Sequence, residues 1–157
     1  MTMSNEQLAM INGIVEMRII GAVRKLLTGK VNELLGKVQY AVPIVELGNY
    51  GGNSVIVPVV SIASCERSEK ERIIKVDAYS LTITFNVPET SDSELHCYIY
   101  AWAVCKAVEE NPTLGGVVDR AVISGKKYIK PKKLDCGQGW ELVLSLRITV
   151  EGTINAG

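Results

Sequence analysis

The sequence predicts an α+β fold: a mainly antiparallel sheet of about four strands with two helices packed on it, the N-terminal helix first. Three observations carry this. Apolar residues recur at spacings of three and four near the N-terminus and again after Pro88. Between and after those stretches the pattern alternates with a period of two, and the resulting order of helix, two strands, helix, two strands is that of helices gathered on one antiparallel sheet. The chain has 157 residues, 47% of them hydrophobic and 22% charged, which is the composition of a packed core. That length suits one domain over residues 1–157, and neither an internal repeat nor a low-complexity linker divides it.

The first helix is expected over about 4–28. Leu8, Ile11, Val15, Ile19, Ala22 and Leu26 form one stripe, Ser4 and Gln7 match a capping box, and Gly29 is a stop signal. Internal Gly13 and Gly21 each weaken it by roughly 1 kcal/mol relative to alanine, so it depends on tertiary contacts. Residues Val31 to Val38 suggest a further helical turn. The glycine-dense GNYGG at 48–52 is turn chemistry; it could offer backbone amides to an anion, but no basic residue accompanies it, and a surface loop is the simpler account.

A strand is expected from Val55 to Ala63, with Pro58 placing it at an edge or near a strand start, since proline donates no ladder hydrogen bond. The charged run Glu66 to Arg72 reads as a solvated loop between this strand and a longer one, Ile73 to Val87. In the longer strand the apolar set changes parity, from Ile74, Val76 and Ala78 to Tyr79, Leu81, Ile83, Phe85 and Val87. A β-bulge near Asp77 is the expected cause.

The second helix, Ser91 to about Glu110, opens on a Ser91–Glu94 capping box. One face carries Leu95, Tyr98, Ile99, Trp102 and Cys105, enough to cover a sheet. The rest of the circumference carries Cys97, Tyr100, Ala101, Val104 and Val108, where a surface helix would place lysine and glutamate. Burial on two sides implies either a three-layer arrangement or contact with another subunit. Tyr98, Tyr100, Ala101, Trp102, Val104 and Val108 are therefore the candidate oligomer interface, and Val104→Glu is expected to leave a folded but smaller species. Asn111-Pro112-Thr113-Leu114-Gly115-Gly116 ends the helix, a strand follows over roughly Arg120 to Lys130, and the last strand alternates cleanly through Trp140, Leu142, Leu144, Leu146, Ile148 and Val150.

Seventeen basic residues balance seventeen acidic ones, so net charge names no nucleic-acid or membrane partner. No apolar run reaches the roughly 18 to 20 residues that cross a bilayer, and the N-terminus has no signal-peptide pattern; a soluble protein made in the cytoplasm is expected. Catalytic signatures are absent: there is no phosphate-binding glycine loop, no H-E-x-x-H and no G-x-S-x-G. With one histidine, His96, and widely spaced Cys65, Cys97, Cys105 and Cys136, neither a zinc site nor a thiol–imidazole pair is favoured; buried free thiols are expected, and no metal or cofactor. Lys126, Lys127, Lys130, Lys132 and Lys133 crowd around Tyr128 and Pro131. Such a cluster could meet phosphates, could meet the carboxylates Glu89, Asp92, Glu94, Glu109 and Glu110 of a neighbour, or could serve only to discourage edge-to-edge aggregation.

The order of elements, the strand VIVPVVSI, the segment DAYSLTITFNV, the helix ELHCYIYAWAVCKAVEE and above all NPTLGG running into VVDRAVI resemble the tail-terminator, or tail-completion, proteins of long-tailed bacteriophages and prophages, over roughly residues 5–151. The resemblance implies a non-enzymatic virion subunit made in the bacterial host. It implies a ring, commonly a hexamer, that caps the tail tube and meets head connector proteins, with DNA passing through its lumen and the lysine cluster facing the lumen or a partner. The other classes left open by the residues are a small enzyme or ligand-binding domain with an unadvertised pocket and a nucleic-acid-binding module.

Overall fold

In the computed structural model, which describes residues 4–38, 42–47, 55–132 and 139–153, the apolar periodicities resolve into helices α1 (Asn5–Asn12), α2 (Val15–Leu26) and α3 (Asn32–Lys37), with a π-helical turn Leu27–Val31 joining the last two. Strands β1 (Ile44–Val45) and β2 (Val55–Ile56), then β3 (Val59–Lys70) and β4 (Ile74–Val87), precede helix α4 (Ser93–Glu110). Strands β5 (Arg120–Ile129) and β6 (Trp140–Thr153) follow it. The four long strands form one antiparallel sheet in the order β3-β4-β6-β5, while β1 and β2 pair in parallel beside it. The α+β class expected from the sequence is what the chain adopts.

The sheet is built on its two centre strands, which pair without a break from Ile74↔Thr153 to Val87↔Trp140. Tyr79, Leu81, Ile83, Phe85 and Val87 lie opposite Ile148, Leu146, Leu144, Leu142 and Trp140, and all are buried. The opposite face holds Ser80, Thr82, Thr84 and Asn86 against Arg147, Ser145, Val143 and Glu141, the polar alternation of a sheet covered on one side. No bulge occurs in β4. Asp77 shares the core-side row with Tyr79, and the sheet's irregularity lies across the ladder on β3, where the register passes from Ile62↔Leu81 to Ser64↔Ser80 and leaves Ala63 over. The parity change in the sequence therefore marks a buried acid, not an extra residue.

The charged run is also reassigned. Glu66 to Lys70 continue β3, and only Glu71 to Ile73 turn the chain, with positive φ of 55° at Glu71 and 67° at Arg72. Neither residue is the glycine or asparagine that normally signals such a conformation. Pro58 stands immediately before β3, an edge strand, as its missing donor requires.

The single N-terminal helix expected over about 4–28 is two pieces, α1 and α2, and the further helical turn suggested over Val31 to Val38 is α3. Ile14 is extended (φ −71°, ψ 126°) beside Gly13, which breaks the first turns from the rest, and Gly29 does not stop the helix but is carried through the π-helical turn into α3. The Ser4–Gln7 box is present, the Ser4 N–H donating to Gln7 Oε1 at 2.8 Å and the Gln7 N–H to Ser4 Oγ at 3.2 Å. The side chains of residues 8 and 11 lie outside the described part, as does GNYGG; from Ile19 onward the inward positions are Ile19, Val23, Leu27, Val31, Leu34 and Leu35. Asn32 ties this layer to β1 with both ends of its amide, Nδ2 donating to Val45 O and Oδ1 accepting from the Val45 N–H, each at 2.7 Å.

Helix α4 lies across β4, β6 and β5 and against the π-helical turn and α3, so its two-sided burial is met within the chain. Its inward side is Cys97, Tyr100, Ala101, Ala103, Val104, Ala107 and Val108. The alanines let the helix approach the sheet closely, and Tyr100 stacks on Phe85 at 5.0 Å while its hydroxyl donates to Pro43 O at 2.6 Å. This reverses the expected orientation: Leu95, Tyr98 and Trp102, assigned above to the sheet, point outward. The helix also starts two residues later than expected. The N-cap is Asp92, without a side-chain cap bond; in place of a Ser91–Glu94 box, the buried Ser93 Oγ holds the preceding turn, accepting from the Thr90 N–H at 2.6 Å and donating to Pro88 O at 2.7 Å. After α4, Leu114, Gly115 and Gly116 all take positive φ, and the Ala121 N–H donates to Pro112 O at 2.7 Å.

Candidate protein-contact surface on α4 and β5

Of the six residues expected at an oligomer interface, four are corrected by burial. Tyr100, Ala101, Val104 and Val108 belong to the chain's own core and have no surface to give a neighbour. Tyr98 and Trp102 remain, 47% and 43% exposed, joined by Leu95 at 42%. These three lie at positions i, i+3 and i+7 and so form one ridge along the outer side of α4.

The ridge is held in shape. The Tyr98 hydroxyl donates to Glu94 Oε1 at 2.6 Å, a bond that, with partial desolvation, pushes the phenol above its ordinary pKa. Its ring meets Tyr128 edge to face at 5.3 Å, and the Lys106 ammonium sits 5.7 Å from the Trp102 ring. On one flank Val38 and Ile99 complete a shallow apolar trough of ≈ 290 Å³. On the other, Cys105, Lys106, Lys126 and Tyr128 complete a groove of ≈ 630 Å³ between α4 and β5.

The lysines expected to act together are divided. Lys126 pairs with Leu144 on the helix side of the sheet, Lys127 pairs with Val143 on the open side, and the Lys130 ammonium lies 5.7 Å from the Trp140 ring. Lys132 is exposed beyond the strand, and Lys133 lies outside the described residues. Lys126 and Lys127 are members of β5, not of a tip, and the cluster borders a sheet edge instead of forming one face.

Burial, with Glu94 nearby, pushes Cys97 up to about 11, and burial also raises Cys105; Cys65 is exposed on β3, and Cys136 lies outside the described residues. Among the described residues no three histidine, cysteine, aspartate or glutamate side chains converge as a metal site, and no helix is long and apolar enough to cross a membrane. Sequence reasoning missed a polar cluster at the far end of the sheet. Arg67 grips Asp77 through Nε and Nη2 at 2.7 and 3.0 Å, and the Tyr79 hydroxyl, pushed up to about 12 by burial and by Glu16, donates to Glu16 Oε1 at 3.4 Å. The parity change at Asp77 was its only signal. A further groove of ≈ 490 Å³ runs between α2 and the loop after α4, over Gly21, Leu26, Gly29 and Leu114.

In comparisons with known proteins, the chain matches no protein-family model and no curated protein.

Proposed function

We propose that this chain is a non-enzymatic structural subunit of a phage or prophage virion, made in the host cytoplasm, that joins copies of itself into a ring, a hexamer, terminating the tail tube and meeting the head connector. DNA passes through its lumen. The observation that carries the contact is the α4 ridge: with the Cys97, Tyr100, Val104 and Val108 side of this helix covered by the chain, Leu95, Tyr98 and Trp102 stand out on the other side beside the apolar trough of Val38 and Ile99. Tyrosine and tryptophan are the residues most enriched where proteins meet, because each brings large apolar area at a small entropic cost. The four-stranded antiparallel sheet with its helices on one side, and the NPTLGG turn leading into β5, support the same reading through the resemblance in sequence.

The test is native mass with negative-stain imaging of the purified protein, alone and mixed with tail tubes. The expected result is a closed ring with a mass several times 17.1 kDa, reduced by Leu95→Asp while the circular dichroism spectrum is kept. A single chain under both conditions would overturn the proposal.

A further inference from the structure

Beyond contact between copies, the α4–β5 groove has the construction of a strand-docking site. Strand β5 is the edge of the sheet. Ala121, paired across with Ile148, sends its N–H to Pro112 O, away from β6. In an antiparallel ladder this direction alternates, so Ile123 and, past the extra residue Ser124, Lys126 and Tyr128 also turn their N–H and C=O groups away from the sheet. Beyond Ala121, no described strand or loop takes up these groups. Helix α4 stands over the same edge and forms the second wall of the groove, with Tyr98 and Trp102 on it.

We propose that this groove receives an extended segment of a partner protein, added antiparallel or parallel to β5 as a fifth strand, with apolar residues alternating with acidic ones. The alternation follows from the two sides of the edge. Successive side chains of an added strand point to opposite faces. Those on the helix side meet the rings of Tyr98, Trp102 and Tyr128, with Lys126 among them; those on the open side pass Gly125 and Lys127. Charge selects the acid. Residues 120–132 contain Arg120, Lys126, Lys127, Lys130 and Lys132 and no aspartate or glutamate. On the helix wall Glu94 is held by Tyr98, and Glu110 by Lys30 and Lys106, which leaves Glu109 against the cations of β5. Edge lysines repel most strands, and that protective role and this one are the same physics: an acidic strand is the kind they admit. The inference rests on the preceding section only in taking Tyr98 and Trp102 as contact residues; it does not need a ring.

The experiment uses the full chain and a short capped peptide alternating leucine and aspartate, with a leucine–lysine peptide as control, followed by residue-resolved amide hydrogen exchange. Expected are slowed exchange at Lys126 and Tyr128 on saturation with the acidic peptide, weaker binding as salt rises, and a loss of roughly tenfold or more in affinity for the Lys126→Glu, Lys127→Glu double variant. Leu95→Asp, which lies off the groove, leaves peptide binding intact whether or not it alters the mass of the assembly, so the two proposals fail separately. Unchanged exchange at Lys126 and Tyr128, or equal binding of the lysine peptide, overturns this one.

Discussion

Asp77 is carried into the core-side row of the sheet at 6% exposure, and Arg67 satisfies both its oxygens from the neighbouring strand. The Arg67 bonds hold the carboxyl below its ordinary pKa against the opposing cost of desolvation. A carboxyl depressed in the folded state stabilises fully above its unfolded pKa of about 3.9 and loses that contribution as pH falls through the lower folded value. Arg67→Met should therefore melt below the parent at neutral pH, with the gap closing as the solution is acidified below the ordinary carboxylate range; a gap constant with pH in thermal unfolding would show that the pair is not its source. Val104 makes the opposite case. It is fully buried between sheet and helices, so Val104→Glu, expected from the sequence to yield a smaller folded species, should yield no folded protein, because an unpaired charge would enter the core. Val104→Ala should cost about 2 kcal/mol in denaturant unfolding from lost methyl burial and the residual cavity.

Helix termini and helical glycines decide the element scale. The Ser93 hydroxyl is buried and serves Thr90 and Pro88 together, so Ser93→Ala should cost about 1 to 2 kcal/mol and fray the start of α4, seen as faster amide exchange in its first turn. Gly21 lies in α2, and a β-carbon there would meet nothing within 4 Å. Gly21→Ala should raise stability by about 0.5 to 1 kcal/mol in the same assay. These elements also show what the sequence could convey. Strand β6 was legible from end to end because one face is wholly apolar and the other mainly polar, and the Ser4–Gln7 box because it depends on side chains three residues apart. Helix α4 was legible in extent but not in orientation: with apolar residues around most of its circumference, only the alanines hinted that the Tyr100 and Val104 side would approach the sheet. The turn at Glu71 and Arg72 carried no signal at all, since residues that disfavour positive φ adopt it under the demand of the hairpin. The exposed ridge was legible only in part: Tyr98 and Trp102 were among the six candidates, but their separation from Tyr100 and Val104 depends on which side of α4 the sheet takes.

At the scale of the whole molecule, zero net charge and a sheet open on one face leave the surface with two distinct kinds of contact. The ridge and trough of Leu95, Tyr98, Ile99, Trp102 and Val38 are apolar, whereas the β5 edge is cationic. Salt separates them. Interactions between exposed charges fade once the screening length falls to about 8 Å or less near physiological ionic strength and beyond, while apolar burial is strengthened by excluded salts such as sulfate. If copies join through the ridge, the mass of the assembly should hold or rise as sodium sulfate is added and fall with Leu95→Asp at every salt concentration. If they join instead through the β5 lysines against Glu89, Asp92 and Glu109 of the next copy, moderate sodium chloride should dissociate them and Leu95→Asp should have no effect. Light scattering across a salt series with the parent and this variant decides between the two, and only the first outcome leaves the β5 lysines of every subunit out of the contact between copies.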